Sequence, residues 1–154
     1  MHQDRTKNIL IVDDIVDDLL MFEDCIEEMG NLPLLALTPQ DARDHLKKTT
    51  PDLVVWNTDV PKSWDELKNF FKNRQTKEVP VIAIVGANNE RAAEQALKLG
   101  CIGLMRKPIA EGDVAEVLTQ GLKPLRSVTR KLARRAEKLE KSEKAAKAAR
   151  AARK

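Results

Sequence analysis

Through residue 122, short apolar runs alternate with longer stretches in which apolar residues return every three or four positions. The short runs have strand length, and the three-to-four spacing marks the buried face of a helix. Asn8-Ile-Leu-Ile-Val12 is the first run, and it stops abruptly on Asp13-Asp14. Behind it Ile15, Leu19, Phe22, Ile26 and Met29 fall on one helical face, with Asp17 and Asp18 near the positive N-terminal end and Gly30 as the stop. Leu32 to Leu37 reads as a second strand. Thr38-Pro39-Gln40-Asp41 then opens a helix ending near Lys48, with a capping hydroxyl, a proline in the first position and an acid in the first turn.

The third run, Pro51-Asp-Leu-Val-Val-Trp-Asn57-Thr-Asp59-Val-Pro61, is a buried strand that delivers an amide, Asn57, to its C-terminal end. Ser63-Trp-Asp-Glu66 has the spacing of a capping box, and Leu67, Phe70 and Phe71 supply the inner face of the helix it opens. Pro80 to Val85 is a fourth strand. A helix from about Asn89 to Leu99 stops at Gly100, Ile102 to Met105 is a short fifth strand ending at Lys107-Pro108, and Val114, Val117, Leu118 and Leu122 mark a fifth helix. Strand and helix alternating in this way predict an α/β fold, a doubly wound five-stranded parallel sheet covered on both faces, because parallel strands need long right-handed crossovers.

Ligands of such a sheet bind outside the carboxyl ends of its strands, at the point where strand order reverses. Asp13-Asp14, Asn57, Val85-Gly86 and Lys107 should therefore line one cleft. Two adjacent carboxylates facing an ammonium frame a small site for a hard cation. The same acids read equally well as a cap on the first helix.

Residues 8–122 resemble the receiver domain of bacterial response regulators, the chemotaxis-regulator type of flavodoxin-like fold with strand order 2-1-3-4-5. The resemblance rests on Ile-Leu-Ile-Val-Asp13-Asp14, Pro51-Asp-Leu-Val-Val-Trp-Asn57 with Val60-Pro61 behind it, Pro80-Val-Ile, Gly100 and Lys107-Pro108. In that family an aspartate ending strand three takes a phosphoryl group from a histidine kinase. A magnesium ion is held there by the acidic pair, by that aspartate and by the carbonyl two residues on. The resemblance puts the pair on Asp13 and Asp14, the acceptor position on Asn57, the carbonyl on Asp59 and the phosphate-binding lysine on Lys107. The family's strand-four hydroxyl falls on Val85 and its strand-five switch aromatic on Leu104, so three working parts are replaced.

An uncharged amide is no phosphoryl acceptor, Val85 has no hydroxyl, and Leu104 has no ring to swing. The expectation is a pseudo-receiver, a non-enzymatic module of two-component-type signalling that recognises a protein partner without phosphorylation. No cofactor is required, and any magnesium on Asp13 and Asp14 is weakened by the missing carboxylate. Lys107 is expected to neutralise the acidic pair. Two alternatives stand beside this reading, namely phosphorylation on Asp59 or an aspartate native to position 57. In the resembling family partners and homodimers use helix four, strand five and helix five, here about Glu90 to Leu99, Leu104 to Arg106 and Asp113 to Leu122.

Charge separates a second segment. Of 27 basic and 24 acidic residues, those from 121 to 154 hold 13 and 3, a net of +10, which leaves 14 against 21, or −7, in the rest. After Pro124 the chain is rich in Ala, Leu, Lys, Arg and Glu, so residues 123–154 are expected to form a C-terminal helical extension. Leu125, Leu132, Leu139 and Ala146 recur every seven residues, but Arg135 and Ser142 occupy the complementary positions, which supports only a short coiled coil. Arg130, Lys131, Arg134, Arg135 and Lys138 would serve oligomerisation or localisation. Contact with nucleic-acid phosphates, without sequence preference, is a rival role, while the alanine-rich opposite face argues against membrane insertion.

The remaining candidates are plainer. Residues 1–7 form a polar arm, and no apolar run approaches the ~18 residues of a membrane span, so a cytoplasmic protein is expected. Cys25 and Cys101 read as small buried hydrophobes, Trp56 as core, Trp64 as core or a contact at the cleft mouth, and His2 and His45 as solvated surface residues.

Overall fold

The computed structural model describes residues 5–123 and 142–148. The chain divides into two units, Met1–Leu122 and Lys123–Lys154. In the first unit β1 (Asn8–Val12), α1 (Val16–Glu28), β2 (Leu32–Ala36), α2 (Pro39–Lys48), β3 (Leu53–Asn57), α3 (Ser63–Lys72), β4 (Val81–Val85), α4 (Glu90–Leu99), β5 (Gly103–Arg106) and α5 (Glu111–Leu122) follow in strict alternation. All four strand pairings are parallel and the order is β2-β1-β3-β4-β5, the predicted doubly wound sheet. In the second unit residues 142–148 are helical and exposed. Arg130, Lys131, Arg134, Arg135 and Lys138, with the heptad positions Leu125, Leu132 and Leu139 and the arm residue His2, lie outside the described residues.

The continuous apolar runs behave as parallel strands covered on both sides should. Every residue of β3 and β4 is buried, and alternate side chains feed two separate cores. Leu10, Val12, Val54, Trp56, Val81, Ala83 and Val85 pack with α2, α3 and α4. Ile9, Ile11, Leu53, Val55, Ile82 and Ile84 pack with Leu19, Phe22 and Ile26 of α1 and Val114 and Leu118 of α5. The edges are less regular: β2 carries Pro33, which has no amide hydrogen, and β5 has only four residues.

Several local expectations change. Ile15 is the residue before α1 and is exposed, so Leu19, Phe22, Cys25 and Ile26 form the buried face. Neither Asp13 nor Asp14 caps that helix. The capping box at Ser63 does not form either. Lys62, at φ 67°, occupies the N-cap position, and Ser63 is the first helical residue with its hydroxyl buried. That hydroxyl accepts from Trp56 Nε1 at 2.8 Å and lies 2.5 Å from Val60 O and 3.2 Å from Asn57 O. A buried indole N–H needs a partner more than a solvated helix end does. His45 is half-buried, and its Nε2 donates to Leu35 O at 2.8 Å, tying α2 to β2 rather than facing water. Trp64, in the first turn of α3, is half-buried against the core. Cys25 and Cys101 are free and buried, and burial pushes the Cys101 thiol up to about 12. The capping group at Thr38 forms as read, accepting from Asp41 N, and Asn89 caps α4 by accepting from Ala92 N.

One contact fixes how closely α5 approaches the sheet. A Cβ on Gly121 would lie 2.9 Å from Leu53 Cδ1 and 3.0 Å from Ile82 Cδ1, both on fully enclosed side chains. Gly121→Val should therefore destabilise the domain by about 1–3 kcal/mol through overpacking, read as a lowered urea midpoint. An unchanged midpoint would mean that α5 is free to back away from the sheet.

Candidate functional site

Register assembles the cleft. Val12 pairs with Trp56 in the β1–β3 ladder, so the next residues, Asp13 and Asn57, leave their strands side by side. Both are fully buried. Asn57 Nδ2 donates to Asp13 Oδ1 at 2.9 Å, and Asn57 Oδ1 accepts from Asp59 N at 3.0 Å. The Asp59 N–H fixes which way the amide points, because turning it over would set the amide hydrogens against that donor. Asp13 Oδ1 also accepts from Ile15 N at 3.0 Å, whereas Asp13 Oδ2 is buried with no hydrogen-bond partner among the described residues. Asp14 is exposed.

The other strand ends close the frame. Thr58 Oγ1 donates to Ile84 O at 2.9 Å, and Lys107 N donates to Val85 O at 2.9 Å. Lys107 Nζ does not turn to the acidic pair as expected. It meets Asp59 Oδ2 at 2.6 Å, and Asp59, placed two residues past the strand end, does bring its side chain to the cleft. Val85 is buried, and Leu104, half-buried, packs into the core on the α2–α4 side. Arg106 pairs with Glu90 at 3.0 Å beside Leu104, linking β5 to the start of α4.

Burial raises the Asp13 carboxyl above its ordinary 3.8, against the lowering effect of hydrogen bonds from Asn57 and Ile15. The folded protein thus holds this proton more tightly than the unfolded chain. Its stabilising contribution is complete below about pH 3.8 and is lost as the pH rises through the folded-state value. Asp13→Asn keeps an oxygen for Asn57 and Ile15 and removes the charge. The difference in stability between this variant and the parent should widen in the variant's favour as pH rises from 3.8 toward neutrality, measured by urea unfolding across that range. A constant difference would contradict the account.

The magnesium that the resemblance implies meets an unsuitable donor set. Asn57 offers the cleft an N–H without a lone pair, its carbonyl oxygen is committed to Asp59 N, and Asp14 stands out in solvent. Asp13 Oδ2 is the remaining buried carboxylate oxygen, and no group of three His, Cys, Asp or Glu among the described residues is placed to hold a metal. Magnesium demands near-octahedral oxygen ligation, and these residues as arranged do not fit it. The Asn57 amide thus joins groups the sequence places together, while the Trp56–Ser63 bond beneath them is not among the sequence's expectations. A serine seven residues after a tryptophan at a buried strand end carried that signal.

Residues 9–119 match the family model of the response regulator receiver domain. The chain is 27% identical over 107 residues to the polar-differentiation response regulator DivK of Brucella ovis, covering 68% of this chain and 87% of that protein. It superposes on the chemotaxis response regulator CheY4 of Vibrio cholerae with a TM-score of 0.70 at 17% identity, covering 77% of this chain and 100% of the other. The receiver domain of NtrX from Brucella abortus gives a TM-score of 0.69 at 24% identity, covering 75% and 98%. These structural likenesses are likenesses of fold. No helix among the described residues is long and apolar enough to cross a membrane.

Proposed function

The chain belongs to the response regulator receiver domain family, and we propose that within it this protein signals without taking up a phosphoryl group. One observation carries the reading. The side chain at the acceptor position, Asn57, is an amide whose two ends are both engaged, on Asp13 and on Asp59 N, in a buried site. Its oxygen carries no charge and already accepts the Asp59 N–H, so it is a poor nucleophile for attack on phosphorus. Val85 offers no hydroxyl to a phosphoryl oxygen, Leu104 no ring to reorient, and Lys107 is held by Asp59.

Output then falls to recognition of a protein partner, and the helix four, strand five and helix five face supports that role. On α4 Leu97 is 51% exposed, and the Arg106–Glu90 pair lies on the same face. Apolar side chains rimmed by charge are the usual composition of such surfaces. A homodimer through this face, a cytoplasmic location and an oligomerising or localising role for the basic tail complete the proposal.

A second reading has the Asp59–Lys107 contact in its favour, since it sets an exposed carboxylate beside the lysine that would meet a phosphoryl group. Incubation with a small acyl phosphate and magnesium, followed by intact-mass measurement, separates the two. No mass gain is expected. Gain of one phosphoryl group that disappears in Asp59→Asn would replace the first reading with the second.

A further inference from the structure

We infer that the Asn57 amide is an internal replacement for a divalent cation in this cleft, so that the ion is excluded by an occupant and not merely bound less well. This rests on the reading of Asn57 as the acceptor position. A cation among strand-end acids does two things: it offsets the charge of the carboxylates and it ties the strand ends together. Asn57 does the second from within the chain, and for the first it supplies a hydrogen-bond donor in place of a positive charge. Its Nδ2 donates one hydrogen bond to Oδ1 of the buried Asp13 carboxylate at 2.9 Å, joining β3 to β1. Its Oδ1 takes the Asp59 N–H at 3.0 Å, fixing the turn beyond β3. Asp59 continues the chain of contacts to Lys107 at the end of β5, and the Lys107 and Thr58 bonds to β4 complete it.

To ligate a metal, Asn57 would have to turn over and present Oδ1. That would break both of its bonds at once and face its NH2 toward the Asp59 N–H, in a site where neither side chain is reached by water. An ion must displace the amide rather than join it. This predicts an unusual sign. If Asn57 were simply a poor ligand, deleting its side chain would weaken metal binding further; if it is an occupant, deletion opens the place to the ion.

The test is a magnesium titration of the full chain followed by amide resonances. In the parent, the Asn57 side-chain NH2 and Asp59 N–H signals should not move in a saturable way through millimolar magnesium. In Asn57→Ala, saturable shifts should appear at Asp13 and Asp14 within the same millimolar range. Asn57→Asp should bind more tightly again. Equal or lower affinity in Asn57→Ala overturns the inference, as does a saturable shift of the parent's Asn57 amide. Should Asn57→Asp unfold without metal, the comparison of the parent with Asn57→Ala still decides. Phosphoryl uptake by the parent would instead overturn the functional reading, so the two failures are distinguishable.

Discussion

Asn57→Asp is expected to destabilise the metal-free protein at neutral pH by about 3 kcal/mol, the scale of leaving a buried charge without compensation. The exchange replaces an N–H donor 2.9 Å from Asp13 Oδ1 with a second carboxylate oxygen, in a site where both residues are fully buried. Two carboxylates at that separation cannot both ionise cheaply, so the pair should keep one proton well above the usual carboxylate range and titrate as a unit. Lowering the pH should recover most of the loss, because the protonated pair restores a donor between the two oxygens. Lys107 now bonds Asp59, and adding Asp59→Ala in the same chain frees it to answer the new charge, which should recover part of the stability at neutral pH. Urea unfolding of the single and double variants at two pH values reads all of this. Equal stability of parent and Asn57→Asp at neutral pH would refute the buried geometry proposed for the cleft.

The second large effect lies directly beneath. Trp56→Ala should cost about 3–5 kcal/mol, the range for removing a buried aromatic ring. Ser63→Ala should cost about 1–3 kcal/mol, because it strands the indole N–H in the core. Trp56→Phe keeps most of the ring and removes the donor. In the Trp56→Phe background Ser63→Ala should then be distinctly milder than in the parent. Strict additivity in that cycle would show that the 2.8 Å contact contributes nothing.

These two sites also mark where the sequence could be read and where it could not. Five parallel strands followed from runs such as Val81–Val85, continuously buried on both faces, while their order came from the resemblance to receiver domains. Asp13, Asn57 and Lys107 were placed at one end of the sheet because strand ends in parallel register must share an edge. What failed was the choice of partner within reach. Ser63 had the spacing of a cap, yet a buried indole claimed it; Lys107 was expected on Asp13 and Asp14, yet Asp59 claimed it. His45 read as solvated because nothing in its neighbours announces that α2 rests on β2 at Leu35 O. Each miss is a competition between polar groups decided by tertiary burial, which local spacing does not encode.

The borders of the sheet have a consequence for life at high concentration. Pro33 interrupts the row of donors along β2, and β5 ends after four residues, so neither side offers a long regular template on which another chain could lay a strand. Crowded copies should therefore remain dispersed instead of zipping into fibrils, and association is left to side chains.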